Sequence, residues 1–327
     1  MEQKPAQPAS RDAVWTVTDG HAGNLRQARA LALALAPDAI RDVRLQPAAP
    51  WRWWAPRRLP ASGQAFGPGF ARLLGSPPGL VIGCGRQAAL ATRLLRERGA
   101  RAVQILDPRL PPRHWDWVIA PAHDRLRGQN VINVHGSLNE IDDRWLEAAR
   151  AAFPALAALP GPRTAVLIGG PSAHMAFDVA AFDALAAQLD TLPDASSLLI
   201  TASRRTPDEV RARLRQRFAG RANARVWLDG TDGENTYAGF LAWADRIICT
   251  PDSVNLLSEA CATRVPVQVF EPERLRGRPR GFLEFLLGNG RVCALSANPV
   301  SAQPTPLRET GRVAALLRQR MPLESPV

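Results

Sequence analysis

The chain has 327 residues, a formal net charge of +11 at pH 7, 46% hydrophobic residues and 22% charged residues. That length fits two domains, and the composition excludes a disordered chain. No apolar run reaches the roughly 20 residues of a membrane helix, and residues 1–11 carry no apolar signal-peptide core. They read as a loose tail on a cytoplasmic protein.

Lys4 is the only lysine among 41 basic residues. With abundant alanine and proline, this reads as the coding bias of a GC-rich bacterial genome. The arginines are spread along helical patterns and no nucleic-acid motif accompanies them, so the charge points to small anions or an anionic surface and not to nucleic acid. Cys84, Cys249, Cys261 and Cys293 share no metal-like spacing and read as free thiols.

Apolar runs predict strands at 14–18, 40–45, 80–83, 102–106, 117–120 and 131–134. Helical patterns intervene at 25–36, 69–74 and 87–98, and a helix at 142–158 closes this half. A Pro/Gly-bearing hinge follows at 159–163. The second half repeats the scheme, with strands at 165–168, 197–201, 225–228, 246–249 and 267–270. Its helices fall at 177–189, 207–218, 237–244 and 253–263. Thr206 with Glu209 forms a capping-box signal. Residues 271–280, rich in proline and arginine, read as a loop. Strand–helix alternation in two halves predicts an α/β chain of two Rossmann-like, doubly wound domains facing a cleft, at 12–158 and 163–305. A last helix at 307–320 is expected to pack back on the first domain.

Ligands in such folds sit at the carboxyl ends of strands, so the strand–helix junctions carry the candidates. In TDGHAGNLRQ, Gly20 and Gly23 permit tight turns, Asn24 is placed to cap the next helix, and Asp19 and His21 titrate. In VIGCGRQAA, Gly83, Gly85 and Ala88 match a dinucleotide fingerprint with Asp107 about 20 residues on. An earlier β–α unit precedes it, so a tight turn bearing Arg86 is the preferred reading. Asp107, Arg109, His123 and Asp124 end the next two strands and are placed to face the acceptor-side cleft; Arg109 and Asp124 equally suit a surface ion pair.

In the second half, Gly169-Gly170 permits close approach of backbone to a phosphate. Ser203, Arg204 and Arg205 follow a strand, where two guanidinium groups neutralise a diphosphate without a metal. TPDSVNLLSEA supplies Thr250 or Asp252 as helix cap, then Ser253, Ser258 and Glu259. Capping leaves Glu259, about two turns in, unexplained; a carboxylate there suits ribose hydroxyls. No Asp-x-Asp pair or Cys/His cluster is present, which favours a metal-free transferase and predicts neither metal nor cofactor.

The segments TDGHAGNLRQARALA, QILDPR, PAHDRLRG, LIGGPSAH, ITASRRTP, ENTYAGFLAWAD and TPDSVNLLSEA occur in this order in one family. The chain resembles the plant mitochondrial-fission (elongated-mitochondria) family and its bacterial relatives over nearly its whole length. That resemblance implies a GT-B-like glycosyltransferase fold, or an interaction protein or sugar-nucleotide epimerase on the same shell. It also brings Asn235 into the donor-side set. CTPDSVNLLSEACATRVPVQVF is similar, locally, to the donor segment of the peptidoglycan lipid-linked N-acetylglucosaminyltransferase, which implies Glu259 as the ribose acceptor of a UDP-sugar. The chain departs from the family at His21 and Asn24, so the base stays open between Asp19 and His123.

The first domain is expected to bind the acceptor and the second the nucleotide sugar. PWRWWAPRRLP sets Trp51, Trp53 and Trp54 among Arg52, Arg57 and Arg58. This pattern suits an anionic membrane surface or a lipid-linked acceptor, and equally a loop docked on the first domain.

Overall fold

The computed structural model describes residues 13–192, 196–296 and 304–321. The tail expected at 1–11 lies outside them. In chain order the elements are β1 (Val14–Thr18), α1 (Ala22–Leu35), β2 (Ile40–Arg44), α2 (Trp51–Trp54), α3 (Gly67–Leu73), β3 (Leu80–Cys84) and α4 (Arg86–Arg96). Next come β4 (Arg101–Ile105), β5 (Trp117–Pro121), β6 (Val131–Val134), α5 (Asp143–Ala152), β7 (Arg163–Ile168), α6 (Val179–Asp190), β8 (Ser197–Ala202) and α7 (Asp208–Phe218). The chain continues with β9 (Ala224–Trp227), α8 (Tyr237–Trp243), β10 (Arg246–Cys249), α9 (Val254–Cys261), β11 (Val267–Val269), α10 (Arg278–Gly288), β12 (Val292–Ala294) and α11 (Glu309–Arg320). None of these helices is long and apolar enough to cross a membrane.

The chain divides into two compact units, Met1–Glu140 with Glu309–Val327, and Ile141–Arg308. Unit 1 holds a six-stranded parallel sheet in the order β2-β1-β3-β4-β5-β6. Its inner strands β1 and β3 are buried at every position, as expected when helices cover both faces of a parallel sheet. The edge strand β2 is half-buried or exposed at every position. One face packs Ala28, Leu31, Ala32 and Leu35 of α1 with Val313, Ala314 and Leu317 of α11. The other packs Ala88, Ala91, Leu94 and Leu95 of α4. Each fully buried leucine contributes about 1.5–3 kcal/mol.

Unit 2 holds the second parallel sheet, β12-β11-β10-β7-β8-β9. Phe182 of α6 and Phe218 of α7 meet edge-to-face, with centroids 6.5 Å apart. Such a pair adds about 0.5–1.5 kcal/mol beyond burial.

Several elements differ from the sequence reading. The helix assigned to the end of the first half stops at Ala152 and belongs to unit 2. Its Leu146 and Ala149 join that unit's core, and its Asp143 accepts from Arg264 and Arg308. The segment read as a loop at 271–280 already contains the start of α10, because Pro279 sits in the first turn, where its missing N–H costs nothing. The three-residue β12 carried no apolar run long enough to be read. The capping box at Thr206 is absent: Pro207 is the N-cap position of α7, and the Thr206 hydroxyl donates to the Gly169 carbonyl instead.

Candidate functional site

Each sheet has one point where the strand order reverses. It lies between β1 and β3 in unit 1 and between β7 and β10 in unit 2. Helices leave such neighbouring strands toward opposite faces, which opens a crevice at their carboxyl ends.

In unit 2, the loops after β7, β8 and β10 interlock at that point. The Gly169 N–H donates to Thr250 Oγ1 at 2.7 Å, and the Gly170 N–H donates to Asp252 Oδ2 at 2.8 Å. The Thr250 hydroxyl donates to Asp252 Oδ1 at 2.6 Å. Arg205 closes the network, with Nη2 2.8 Å from Asp252 Oδ2 and Nη1 donating to the Gly170 and Pro171 carbonyls. The Asp252 side chain is fully buried, and these donors offset the cost of holding its charge there.

This arrangement revises three expected roles. A side chain at Gly169 would enter the Asp252 carboxylate, and one at Gly170 would enter the Arg205 backbone, 2.7 Å from Thr206 N. The two glycines thus serve close packing of loop on loop, and both of their N–H groups are taken internally. Arg205 is committed to Asp252. Arg204 is exposed and makes no ion pair or hydrogen bond among the described residues. Neither Thr250 nor Asp252 caps α9: Ser253 does, accepting from Leu256 N at 3.3 Å.

Ser258 lies inside α9 and donates back to the Val254 carbonyl at 2.7 Å. Glu259 is buried, 5% exposed, and its Oε2 accepts from the phenol of Tyr237 on α8. Asn235 is exposed and accepts from Tyr237 N at 3.0 Å, fixing the start of α8. Tyr237, the only tyrosine in the chain, was not among the expected site residues. The available signal was its place two residues after Asn235 in ENTYAGFLAWAD.

In unit 1, Asp19 and Gly20 follow β1, and Gly85 and Arg86 follow β3, so both loops flank the reversal point. Asp19 Oδ1 accepts from His21 N at 3.1 Å and from Asn24 Nδ2 at 3.0 Å, with His21 Nδ1 at 3.0 Å. Burial alone would raise the Asp19 pKa; the bonds from Asn24 and His21 outweigh it and hold the carboxyl below its ordinary value. Asn24 therefore does not cap α1, which begins at Ala22, and Gly23 lies within the helix instead of in a turn. The Asn24 amide also bridges to β3, its Oδ1 accepting from Cys84 Sγ at 3.6 Å. Burial, with the Asp19 charge added, pushes that thiol up and keeps it a donor. Gly85 turns with φ +92°, and a side chain there would meet Asn24 Nδ2 at 2.6 Å.

The remaining candidates are spread along the strand ends. Asp107 pairs with Arg109 at 3.1 Å. His123 follows β5; burial, with His135 nearby, lowers its pKa despite Asp124, so the imidazole is neutral at pH 7. Three strand spacings, about 14 Å, separate β1 from β5, so Asp19 and His123 follow strands that are not neighbours in the sheet.

The tryptophan segment is braced by backbone contacts. Arg86 donates to the carbonyls of Arg52 and Trp53, Gln87 to that of Arg52, and Arg93 to that of Pro56. Trp51 packs against the unit 1 core. Trp53 and Trp54 are 61% and 53% exposed, and the Arg52 guanidinium lies over the Trp53 ring. Arg57 and Arg58 are exposed, and Arg58 pairs with Glu97.

Residues 22–321 match the sequence profile described as mitochondrial fission ELM1. The chain belongs to the mitochondrial fission ELM1 family. It is 29% identical over 275 residues to the mitochondrial fission protein ELM1 of Arabidopsis thaliana, covering 75% of this chain and 64% of that protein. The chain thus spans just under two thirds of the length of that relative. It is 26% identical over 286 residues to the uncharacterized protein RP120 of Rickettsia prowazekii (strain Madrid E), covering 74% and 79% of the two chains.

Among solved structures, S. aureus MnaA in complex with UDP matches with a TM-score of 0.51 at 13% identity, over 94% of this chain and 88% of its own. The UDP-GlcNAc 2-epimerase of Methanocaldococcus jannaschii matches with a TM-score of 0.50 at 14% identity, over 94% and 99%. These likenesses show the fold: two Rossmann-like domains of the GT-B type, as both the strand alternation and the family resemblance implied.

Proposed function

We propose that this ELM1-family chain is a metal-independent glycosyltransferase that takes a nucleoside-diphosphate sugar, UDP-linked, as donor. Unit 2 holds the donor and unit 1 the acceptor. The observation that carries the reading is the Tyr237-held, buried carboxylate of Glu259 on α9, in the helix that leaves β10 at the unit 2 reversal point, while Arg204, exposed and unpaired among the described residues, follows β8 in the same sheet. Glu259 takes the ribose hydroxyls, with Tyr237 holding its carboxylate in place. Arg204 and the amino end of α9 take the diphosphate, where fixed positive charge stabilises the leaving group. Asp252 and Arg205 stand behind them and set the loop's shape. The MnaA structure holds UDP and the M. jannaschii enzyme is a UDP-GlcNAc 2-epimerase, which supports the choice of base.

In unit 1 a base deprotonates the acceptor hydroxyl. Asp19 is ionised and His123 neutral at pH 7, so each holds the form that accepts a proton. Asp19 is a weak base by its lowered pKa, and the neutral imidazole lies nearer the pKa that general-base work favours. A lipid-linked acceptor, reached at an anionic membrane surface through Trp53, Trp54, Arg57 and Arg58, fits the exposure of those side chains.

The test is titration of the full chain with UDP, then mass spectrometry of products from UDP-sugars with and without acceptor lipids. Transfer to an acceptor supports the proposal. Conversion of the UDP-sugar without acceptor makes the chain an epimerase, and absence of UDP binding makes it an interaction protein on a GT-B shell.

A further inference from the structure

Among the described residues, the donors that reach the Asp19 carboxylate all take the same oxygen. Oδ1 accepts from His21 N at 3.1 Å and from Asn24 Nδ2 at 3.0 Å, with His21 Nδ1 at 3.0 Å. Oδ2 has no partner among the described residues. The His21 ring is 80% exposed, so water screens its bond. Asn24, half-buried in the first turn of α1, is the side-chain donor that the fold itself holds in place.

Chemistry fixes which way the Asn24 amide faces. Its Oδ1 accepts from Cys84 Sγ of β3 at 3.6 Å. Burial keeps that thiol protonated and so a donor, whereas an ionised carboxylate only accepts. The amide oxygen therefore faces Cys84 and the amide nitrogen faces Asp19. Gly85 gives this bridge its room, since a side chain there would meet Asn24 Nδ2 at 2.6 Å. The turn at Gly85 is held in turn from β4, where the buried Gln104 donates through Nε2 to the Gly85 carbonyl at 3.2 Å. The titratable groups beside Asp19 are His21 on its own loop and Cys84 on β3, and Arg44 of β2 packs on Gly20.

We propose, on the reading of unit 1 as the acceptor side and Asp19 as its base, that Asn24 is a positioning residue: with Cys84 behind it, it pins Asp19 Oδ1 and leaves Oδ2 as the oxygen that takes the acceptor's proton. A carboxylate that nothing holds turns broadly about χ2. Removing that freedom keeps one oxygen in line with the acceptor hydroxyl, the kind of orientation on which rate depends steeply. In the step itself the acceptor O–H bond breaks and its proton passes to Oδ2. The electron pair left on the acceptor oxygen forms the new bond to the anomeric carbon, and the nucleoside diphosphate leaves with the pair of the bond it had.

The experiment follows the Asp19 carboxyl carbon of the isotope-labelled full chain by NMR as pH falls, with Asp19→Asn supplying the assignment and amide spectra checking the fold of each variant. Asn24→Ala should raise the Asp19 midpoint by at least about one pH unit, the loss of one hydrogen bond to a charged group. Cys84→Ala should raise it partway, and Cys84→Ser, which keeps a donor, should hold it at the wild-type value. If Asn24→Ala does not fold, the two Cys84 variants carry the same test. With the acceptor that the product screen yields, kcat of Asn24→Ala should fall at least about tenfold while KM stays within about twofold. An unmoved midpoint or an unchanged kcat in Asn24→Ala, or a Cys84→Ser variant that titrates like Cys84→Ala, overturns the proposal. Failure of the underlying reading shows separately: midpoints that move as expected, with no transfer by wild type or undiminished transfer by Asp19→Asn, remove Asp19 as the base.

Discussion

The phenol of Tyr237 donates to the buried carboxylate of Glu259, joining the first turn of α8 to the last turn of α9. Glu259 is thereby held from outside its own helix, in one orientation, before any ligand arrives. Tyr237→Phe removes that donor from a buried carboxylate. It should cost about 1–3 kcal/mol of stability, read as a lower urea midpoint, and should weaken UDP binding less than loss of Glu259 itself. An unchanged midpoint and unchanged affinity would show that the pair does not set the site.

The two neighbouring arginines should separate cleanly. Arg204→Ala should leave the denaturation midpoint within about 0.5 kcal/mol of wild type, as for an exposed unpaired side chain. It should weaken UDP by about 1.5–3 kcal/mol while leaving uridine unaffected. Arg205→Ala uncovers the buried Asp252 and should lower stability by about 1–3 kcal/mol. If Arg205→Ala is fully stable and Arg204→Ala binds UDP normally, the division of roles is wrong.

Gly170→Ala should destabilise by about 1–3 kcal/mol, because the added methyl meets the Arg205 backbone, which cannot rotate away. UDP affinity should fall with it, since the loop shape is shared. A stable Gly170→Ala variant with wild-type affinity would mean that the loop has room the geometry denies.

The pH dependence of kcat/KM distinguishes the two bases, since it reports groups of the free enzyme. The folded pKa of His123 is lowered, so if it is the base the acid limb lies below about pH 6.5 and disappears with His123→Asn. If Asp19 is the base, activity persists until below about pH 4. Stability gives an independent check. A depressed carboxyl pKa stabilises fully above the unfolded value and loses that contribution as pH falls through the folded one. The stability gap between wild type and Asp19→Asn should therefore shrink below about pH 4.

Trp53 and Trp54 are the exposed pair, so Trp53→Ser with Trp54→Ser tests membrane contact without disturbing Trp51, which packs against the core. Wild type should pellet with anionic vesicles and not neutral ones, each basic residue near the surface adding about 1 kcal/mol at low salt. Equal pelleting of the double variant would remove the tryptophans from the proposal.

Most of the fold was legible because buried parallel strands such as VWTVT and LVIGC are continuous apolar runs, and such runs need no partner to be seen. The loops at their carboxyl ends were legible as positions and less so as roles. Thr250, Asp252 and Thr206 look like helix caps in sequence, since capping residues and loop-bridging residues share the same chemistry. Only three dimensions show that Asp252 holds Gly170 and Arg205. Tyr237 and Glu259 stand 22 residues apart on different helices, and no local period links them. The helix Asp143–Ala152 ends the first run of alternation in sequence, yet its Asp143 is engaged by Arg264 and Arg308, partners too distant in the chain for any pattern to assign.

The most direct measurement is calorimetric titration of the full chain, in EDTA, with UDP and with 2′-deoxy-UDP, for wild type and Glu259→Gln. The wild type should bind UDP and prefer it to the deoxy analogue. Glu259→Gln should bind UDP about 1.5–3 kcal/mol more weakly and lose the preference. No UDP binding by the wild type, or an undiminished ribose preference in Glu259→Gln, would contradict a nucleotide site built on Glu259.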